Sequence, residues 1–211
     1  MSKTQIYRSI VALLGIIGVS LQIQKDGWGM LLYYTVISNI LVFSFLIYLI
    51  VYSYKKGTIN QNPNLLRIKA GVSMAILITF IIYHFMLAPL AKPEAYWNAR
   101  NFFVHYICPL AMVFDTLVLD RKNSYKWSDP IIWASIPLVY FAFALLNGML
   151  LKLPIPGAVD SPFAYYFINV YKYGWGHVLV TSLFITGAYV FVGYILLFFK
   201  TIIGSNKVVE N

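Results

Sequence analysis

Six long apolar stretches, separated by short polar connections, constrain the fold of this chain more than any other feature. Each is close to the roughly 20 apolar residues that a helix needs to cross a bilayer. A membrane barrel would instead show alternating segments of about 10 residues, and lipid leaves exposed backbone groups without partners. The sequence therefore predicts an all-α, polytopic membrane protein with a single six-helix domain over residues 1–211. The predicted spans are Tyr7–Ile23, Met30–Tyr54, Ile68–Leu90, Asn101–Leu119, Pro130–Leu151 and Trp175–Lys200.

The composition agrees with this interpretation. Only 11% of the residues are charged and the mean hydropathy is +0.73, whereas a soluble domain has about 25% charged residues. A cationic start before the first span is also typical of a signal peptide. However, no small-residue cleavage site follows that span, because its exit reads Leu21-Gln-Ile-Gln-Lys-Asp-Gly27. We therefore expect the first span to be retained as a helix.

The distribution of lysine and arginine predicts the orientation of the spans. Of the 16 Lys and Arg residues, 11 fall on the side of the two termini and five on the other side. The positive-inside rule then places both termini in the cytoplasm. The net charge of +9 indicates contact with anionic lipid headgroups, not with nucleic acid. We expect a multi-pass protein of the cell (plasma) membrane.

This orientation places a layer of polar side chains in the outer half of the membrane. Thr35 lies about 9 Å into the second span at 1.5 Å per residue, and His105 lies at a similar depth in the fourth span. Polar groups are costly in lipid, so such a layer indicates a functional site. The layer contains Thr35, Ser38, Asn39, Asn101 and all three histidines, His84, His105 and His177.

Thr35 and His105 lie at similar depths in two different spans, as a nucleophile and its base would. Thr35 and Asn39 are four residues apart and Ser38 is adjacent, so the three share one helical face. A threonine hydroxyl needs a base within hydrogen-bonding reach, for which His105 is the candidate. Asn39 or Ser38 would then donate to the oxyanion. The alternative is that Ser38 and Thr35 bond to helix carbonyls while Asn39 and His105 join helices.

The other two histidines are candidate supporting residues. The apolar neighbours of His84 predict a buried role for it, whereas His177, in the first turn of the sixth span, fits an interfacial position equally well. The histidines have no metal-binding spacing, and Cys108 is the only cysteine. We therefore expect neither a metal nor another cofactor.

Two further features lie outside this layer. Asp115 is about 15 Å of helix beyond His105, and we expect it to pair with a basic loop residue such as Arg121 or Lys122. The connection Lys152–Gly174 is rich in proline, glycine and aromatic residues. It is typical of an interfacial aromatic belt or of a cap over a cavity.

The motifs of this chain, and their order, resemble those of a known family. The segment Tyr33–Asn39 (YYTVISN), then Asn101-x-x-x-His105 with Pro109 and Asp115 behind it, resembles the androgen-induced gene 1 and ADTRP-like family. The resemblance is closest to its bacterial branch, the Pr6Pr membrane proteins. Size, six spans and the order of the threonine and histidine spans extend the resemblance over nearly the whole chain.

The resemblance implies an activity and its residues. Eukaryotic members are intramembrane threonine hydrolases that cleave fatty acid esters of hydroxy fatty acids, and their nucleophile and base correspond to Thr35 and His105. This chain departs from the family at two positions. Ser38 stands where some eukaryotic members have an acidic residue, and Pro109 follows the histidine one residue sooner than the proline of the family does. The identity of the substrate does not carry over.

The leading prediction is therefore a threonine hydrolase acting on a lipid or fatty acyl ester that reaches Thr35 from membrane lipid. It requires the Thr35 hydroxyl within about 3–4 Å of a His105 nitrogen, beside a lipid-open cavity. A small-molecule or ion transporter or channel is the first alternative, and it requires a water path toward the cytoplasm. A non-catalytic binding or scaffold protein is the second, and it requires a closed bundle with every polar group satisfied.

Overall fold

The computed structural model describes residues 1–158 and 161–206, and in this part of the chain the regular structure is helical. A single isolated bridge, between Arg121 and Ser205, is the exception among the described residues. Among these residues, six helices are long and apolar enough to cross a membrane, as expected of a multi-pass protein. They are α1 (Lys3–Asp26), α2 (Tyr34–Lys56), α3 (Pro63–Leu90), α4 (Ala99–Leu119), α5 (Asp129–Leu151) and α6 (Val170–Ile202).

The helix boundaries differ from the predicted spans where local turns decide them. The predicted second span begins too early, because Trp28–Leu32 forms a 3₁₀ turn before α2. Helix α3 begins at Pro63, five residues before the predicted span, because the Asn62 side chain caps it and proline suits the first helical position. Helix α6 has a kink at Gly174, whose φ of 75° is left-handed.

Wide π-helical turns interrupt three of the helices at or near the polar layer. They cover Tyr83–Leu87 in α3, Phe103–Ile107 in α4 and Asn147–Leu151 in α5. The turn in α4 directly precedes Pro109, which has no N–H to offer the His105 carbonyl. Such turns change which side chains face inward and often occur at functional sites.

The helices pack around α3, whose middle turns are fully buried. Helix α1 lies close to α4, since a Cβ added at Gly18 would come within 2.9 Å of the Phe103 and Val104 side chains. Helices α5 and α6 pack on α3 through Trp133 and Tyr189, which share a core cluster with Ala70 and Met74 of α3. We name the two ends of this bundle the Thr35 end and the Asp120 end.

A buried ionic cluster holds the Asp120 end together. Arg8 of α1 donates to Asp115 of α4 at 2.9 Å and to Asp120 at 3.2 Å. Lys69 of α3 lies 2.7 Å from a carboxylate oxygen of each aspartate. All four side chains are essentially excluded from solvent. Because the two positive and two negative charges contact each other, the desolvation of each is offset by opposite charge.

The expected partners of Asp115 were wrong. Arg8 and Lys69 pair with it instead of Arg121 or Lys122. Arg8 and Lys69 lie within the predicted first and third spans, on helices that meet α4 at this end, whereas Arg121 and Lys122 lie beyond the end of α4. Lys200 of α6 joins the cluster by donating to the backbone oxygen of Asp120 at 2.6 Å.

Removing one cation from the ionic cluster tests its contribution to stability. Lys69→Met leaves two buried carboxylates with Arg8 as the remaining cation in contact with their oxygens, which is expected to destabilise the fold by about 3–5 kcal/mol. The measurement is the free energy of unfolding in mixed micelles titrated with a denaturing detergent. Lys55→Met, at the exposed end of α2, is the control, and equal stability of the two variants would contradict this role.

Candidate functional site

Thr35 and His105, from α2 and α4, meet at the Thr35 end of the bundle. Thr35 is the second residue of α2, and His105 lies within the wide turn of α4. The Thr35 Oγ1 atom is 3.3 Å from His105 Nε2. Each of the two residues is 8% exposed. The pair therefore has the separation expected for a hydroxyl and its base before substrate binds.

The second ring nitrogen of His105 determines the direction of this hydrogen bond. His105 Nδ1 lies 3.2 Å from the backbone oxygen of Asn101. A carbonyl oxygen only accepts, so Nδ1 carries the hydrogen and Nε2 presents its lone pair to the Thr35 hydroxyl. The Tyr83 ring stacks on the imidazole at 3.7 Å with an interplanar angle of 20°. The ring of His105 is thus fixed in a tautomer and an orientation that suit a base.

Asn101 contributes to the site through its backbone. Its side-chain amide donates to the backbone oxygen of Tyr96 at 3.0 Å. Its own N–H is capped by the Asn98 side chain at 3.0 Å. These bonds fix the first turn of α4, and with it the Asn101 carbonyl that orients His105. Asn101 therefore positions the His105 ring through its backbone oxygen, and its side chain bonds elsewhere.

Ser38 and Asn39 surround the backbone of Thr35 but not its hydroxyl. Asn39 Nδ2 donates to the backbone oxygens of Thr35 at 2.8 Å and Val104 at 3.0 Å. The Ser38 hydroxyl donates to the backbone oxygen of Thr35 at 3.1 Å and lies 2.8 Å from the Thr79 hydroxyl. These bonds fasten α2 to α3 and α4. Both amide hydrogens of Asn39 and the single hydrogen of Ser38 have acceptors here, so neither residue has a hydrogen left for an oxyanion.

Thr35 lines a cavity enclosed by α3, α5 and α6. The cavity measures about 100 Å³, in the range of the roughly 150 Å³ apolar cavity that binds benzene in another protein. Aliphatic and aromatic groups form most of its wall, with Thr35 and Thr79 on one side. Representative lining residues are Ile82 and Tyr83 of α3, Leu138 and Phe141 of α5, and Ile185 and Thr186 of α6. The space beside the hydroxyl therefore suits an apolar group.

The connection between α5 and α6 covers this cavity. The Tyr33 hydroxyl donates to the backbone oxygen of Pro156 at 2.6 Å. A Cβ at Gly29 would lie 2.6 Å from Pro156, so the connection rests directly on the turn before α2. Tyr165 and Phe167 from the same connection line the cavity. Of the two interpretations of this segment, the described residues favour the cap, and Val159 and Asp160 lie outside them.

Tyr165 is a site residue that the sequence interpretation missed. Its hydroxyl interacts with the Thr35 hydroxyl and with the backbone at Tyr34 and Thr35. The first N–H groups of a helix have no partner within the helix, so those of Tyr34 and Thr35 are donors beside the Thr35 hydroxyl. Burial raises the pKa of Tyr165, although these contacts oppose the increase, and the phenol remains protonated at neutral pH. Only its position in the cap, which spacing does not reveal, identifies it.

His84 and His177 do not join the pair. His84 is exposed and its Nδ1 lies 3.2 Å from the Tyr106 hydroxyl. The predicted buried role was therefore wrong, because the wide turn in α3 directs its neighbour Tyr83 inward instead. His177 is exposed beside the Tyr173 ring, which fits the interfacial interpretation. Across residues 1–158 and 161–206, no three His, Cys, Asp or Glu side chains lie close enough to hold a metal ion.

Comparison with known proteins adds no further identification. No protein-family model, no curated protein and no solved structure matches this chain. What the chain does is therefore inferred from the geometry around Thr35 and from the motifs of its sequence.

Proposed function

We propose that this chain is an intramembrane threonine hydrolase that cleaves a lipid or fatty acyl ester. The observation that carries the proposal is the lone pair of His105 Nε2, held 3.3 Å from the Thr35 hydroxyl at the wall of an apolar cavity. A hydroxyl with such a base is an activated nucleophile. The resemblance to the androgen-induced gene 1 and ADTRP-like family supports the same pair of residues.

The geometry supports a two-step reaction. The Thr35 oxygen attacks the ester carbonyl carbon while its proton moves to His105 Nε2. The C–O bond to the leaving alkoxide then breaks, and His105 returns the proton to that alkoxide to release an alcohol. Water, deprotonated by His105, then attacks the acyl–Thr35 ester. The bond between the acyl carbon and Thr35 Oγ1 breaks to release the acid, and His105 returns the proton to Thr35. The Asn101 carbonyl stabilises the imidazolium at both stages by accepting the Nδ1 hydrogen.

Tyr165 and the start of α2 are the groups that serve the oxyanion. Preorganised donors at the position of the developing charge supply a large part of catalysis in acyl transfer. The Tyr165 hydroxyl and the N–H groups of Tyr34 and Thr35 converge beside the nucleophile. The positive end of the α2 dipole lies at the same place. These groups take the role that the sequence alone gave to Ser38 or Asn39.

The alternative functions have less support. A transporter needs a path from the cavity to the Asp120 end, but Met74, Ala134 and Tyr189 pack together below the cavity. The two aspartates beyond this layer, Asp115 and Asp120, are engaged by Arg8 and Lys69. A scaffold has no need of a cavity beside a hydroxyl–imidazole pair. We favour neither of these functions.

The proposed setting is the plasma membrane with both termini in the cytoplasm. The excess of cations on the side of the termini supports this orientation. The Thr35 end then faces the outer leaflet. Helices α5 and α6 approach closely at Pro130 and Gly193, far from Thr35, and the cavity lies between them nearer the Thr35 end. An acyl substrate would enter from the surrounding lipid.

Labelling with an alkyl fluorophosphonate tests the nucleophile and its base. Purified wild-type protein is expected to react, because Thr35 displaces fluoride once His105 accepts its proton. Thr35→Ala is expected to abolish labelling, and His105→Ala to lower its rate by about 10²–10⁴-fold. The measurement is the rate of fluorescent labelling in detergent, for variants with unchanged elution on gel filtration.

Two matched variants control for indirect effects. Thr186→Ala removes a threonine from the opposite wall of the cavity, and His177→Ala removes an exposed histidine. Both are expected to label at the wild-type rate. A wild-type protein that does not react, or a Thr35→Ala variant that reacts normally, would contradict the proposed function.

Tyr165→Phe tests the oxyanion donor. Loss of one such donor costs about 10²–10³-fold in rate, so the maximal rate of labelling should fall by about this factor. The concentration of reagent at half-maximal rate should change little, because the phenyl ring still lines the cavity. Tyr166→Phe, an adjacent tyrosine that is 43% exposed, is the control. An unchanged rate in Tyr165→Phe would remove this residue from the mechanism.

A further inference from the structure

A second, larger apolar space lies on the outside of the bundle. It is a groove of about 980 Å³ between α2, α3 and α5. Tyr34 and Tyr140 line both this groove and the Thr35 cavity. Their rings meet edge to face with centroids 4.9 Å apart. The two aromatic rings therefore form the wall between the two spaces.

The lining of the groove changes character along its length. Toward the Thr35 end its walls are aliphatic and aromatic. Polar side chains are found toward the Asp120 end, where Asn64, Arg67 and Asp129 line the groove. The apolar lining includes Ile37, Leu41 and Phe45 of α2 and Ile136, Val139 and Phe143 of α5. This division into a polar mouth and an apolar channel matches the two parts of a lipid molecule.

Arg67 gives the mouth its charge. Its Nε and Nη2 donate to Asp129 at 2.8 and 2.6 Å, and its Nη1 donates to Asn64 at 3.3 Å. Of the five guanidinium N–H groups, the described contacts engage three. The Arg67 side chain is 20% exposed, whereas that of Asp129 is 2% exposed. The accessible part of this ion pair is therefore the guanidinium, which suits a phosphate oxygen.

The length of the groove suits one acyl chain. From Asp129 to Phe143 the α5 wall runs for about 21 Å at about 1.5 Å per residue. A bilayer is about 40–45 Å thick with its headgroup regions, so a groove of this length matches one leaflet when its polar mouth lies at headgroup depth. Lys126 and Trp127, both exposed just before α5, are residue types typical of the headgroup region.

We propose that this groove binds one anionic phospholipid from the leaflet at the Asp120 end. Its phosphate accepts hydrogen bonds at Arg67, and one acyl chain lies between α2 and α5. The end of this chain contacts Tyr34 and Tyr140, so the bound lipid supports the wall of the Thr35 cavity from outside. The site stands apart from the proposed hydrolase activity, because its occupant does not reach the Thr35 hydroxyl.

Photocrosslinking in vesicles tests this site without requiring activity. The full chain is placed in phosphatidylcholine vesicles with a small fraction of phosphatidylglycerol that carries a diazirine near the end of one acyl chain. After irradiation, peptide mass spectrometry locates the adducts. We expect them mainly on the groove walls, at residues 37–45 and 136–143, and not on the outer face of α6. Similar crosslinking of both surfaces would overturn the proposal.

Two tryptophan substitutions provide a matched pair. Val139→Trp fills the groove, and Val180→Trp adds the same bulk to the outer face of α6. The two valines are 70% and 68% exposed, so both proteins should fold. Val139→Trp is expected to abolish crosslinking in the groove and Val180→Trp to leave it unchanged. Crosslinking in the groove that survives Val139→Trp would overturn the site.

The headgroup is tested by changing the lipid instead of the protein. A diacylglycerol with the same diazirine chain lacks the phosphate that Arg67 would bind. Its crosslinking to the groove is expected to fall about tenfold, as for the loss of a hydrogen bond to a charged group. Equal crosslinking by the two lipids would overturn the role of Arg67 and leave an apolar groove without headgroup recognition.

Discussion

The buried ionic cluster at the Asp120 end is the interaction on which the rest of the structure depends. Arg8, Lys69, Asp115 and Asp120 bring α1, α3 and α4 into one register, and Lys200 adds α6. A misaligned bundle would leave a charge unpaired in a medium where that is costly. The cluster therefore fixes the helices at one end, while the other end has room for a cavity.

The register set by these charges brings the reactive groups together at the Thr35 end. Helix α4 carries Asp115 in the cluster and His105 about 15 Å away. The wide turn before Pro109 directs His105 toward α2, where Asn39 bonds to the backbone of Val104. The backbone of α4 thus orients the His105 ring, and the side chains of α2 hold Thr35 against it. The pair does not depend on a third acidic residue, because a carbonyl oxygen takes that place.

Much of this arrangement could be predicted from the sequence. Hydropathy alone predicted the six helices, and the shared depth of Thr35 and His105 in two spans that run in the same direction led to the hypothesis that they form a pair. The cluster partners of Asp115 were not predictable, because Arg8 and Lys69 belong to two other helices and their contacts with α4 depend on how the whole bundle packs. His84 was misassigned, because a single wide turn exchanges the inward and outward positions of neighbouring residues.

Tyr165 shows a further limit of sequence interpretation. It is one of several aromatic residues in the connection before α6, and nothing in its spacing distinguishes it from Tyr166. Its place beside Thr35 follows from how the connection rests on Gly29 and Tyr33. Long-range contacts of this kind arise from packing of the whole bundle. Similarly, the helix-joining contacts of Ser38 and Asn39 depend on groups from other helices, the Thr79 hydroxyl and the Val104 carbonyl.

The proposed hydrolase activity depends on His105 making the hydroxyl of Thr35 a nucleophile. The most direct test is peptide mass spectrometry of the wild-type protein after reaction with an alkyl fluorophosphonate, to find the residue that carries the phosphonyl group. We expect one adduct per chain, on Thr35 Oγ1. An adduct on a different hydroxyl, such as that of Ser38 or Tyr165, would contradict it.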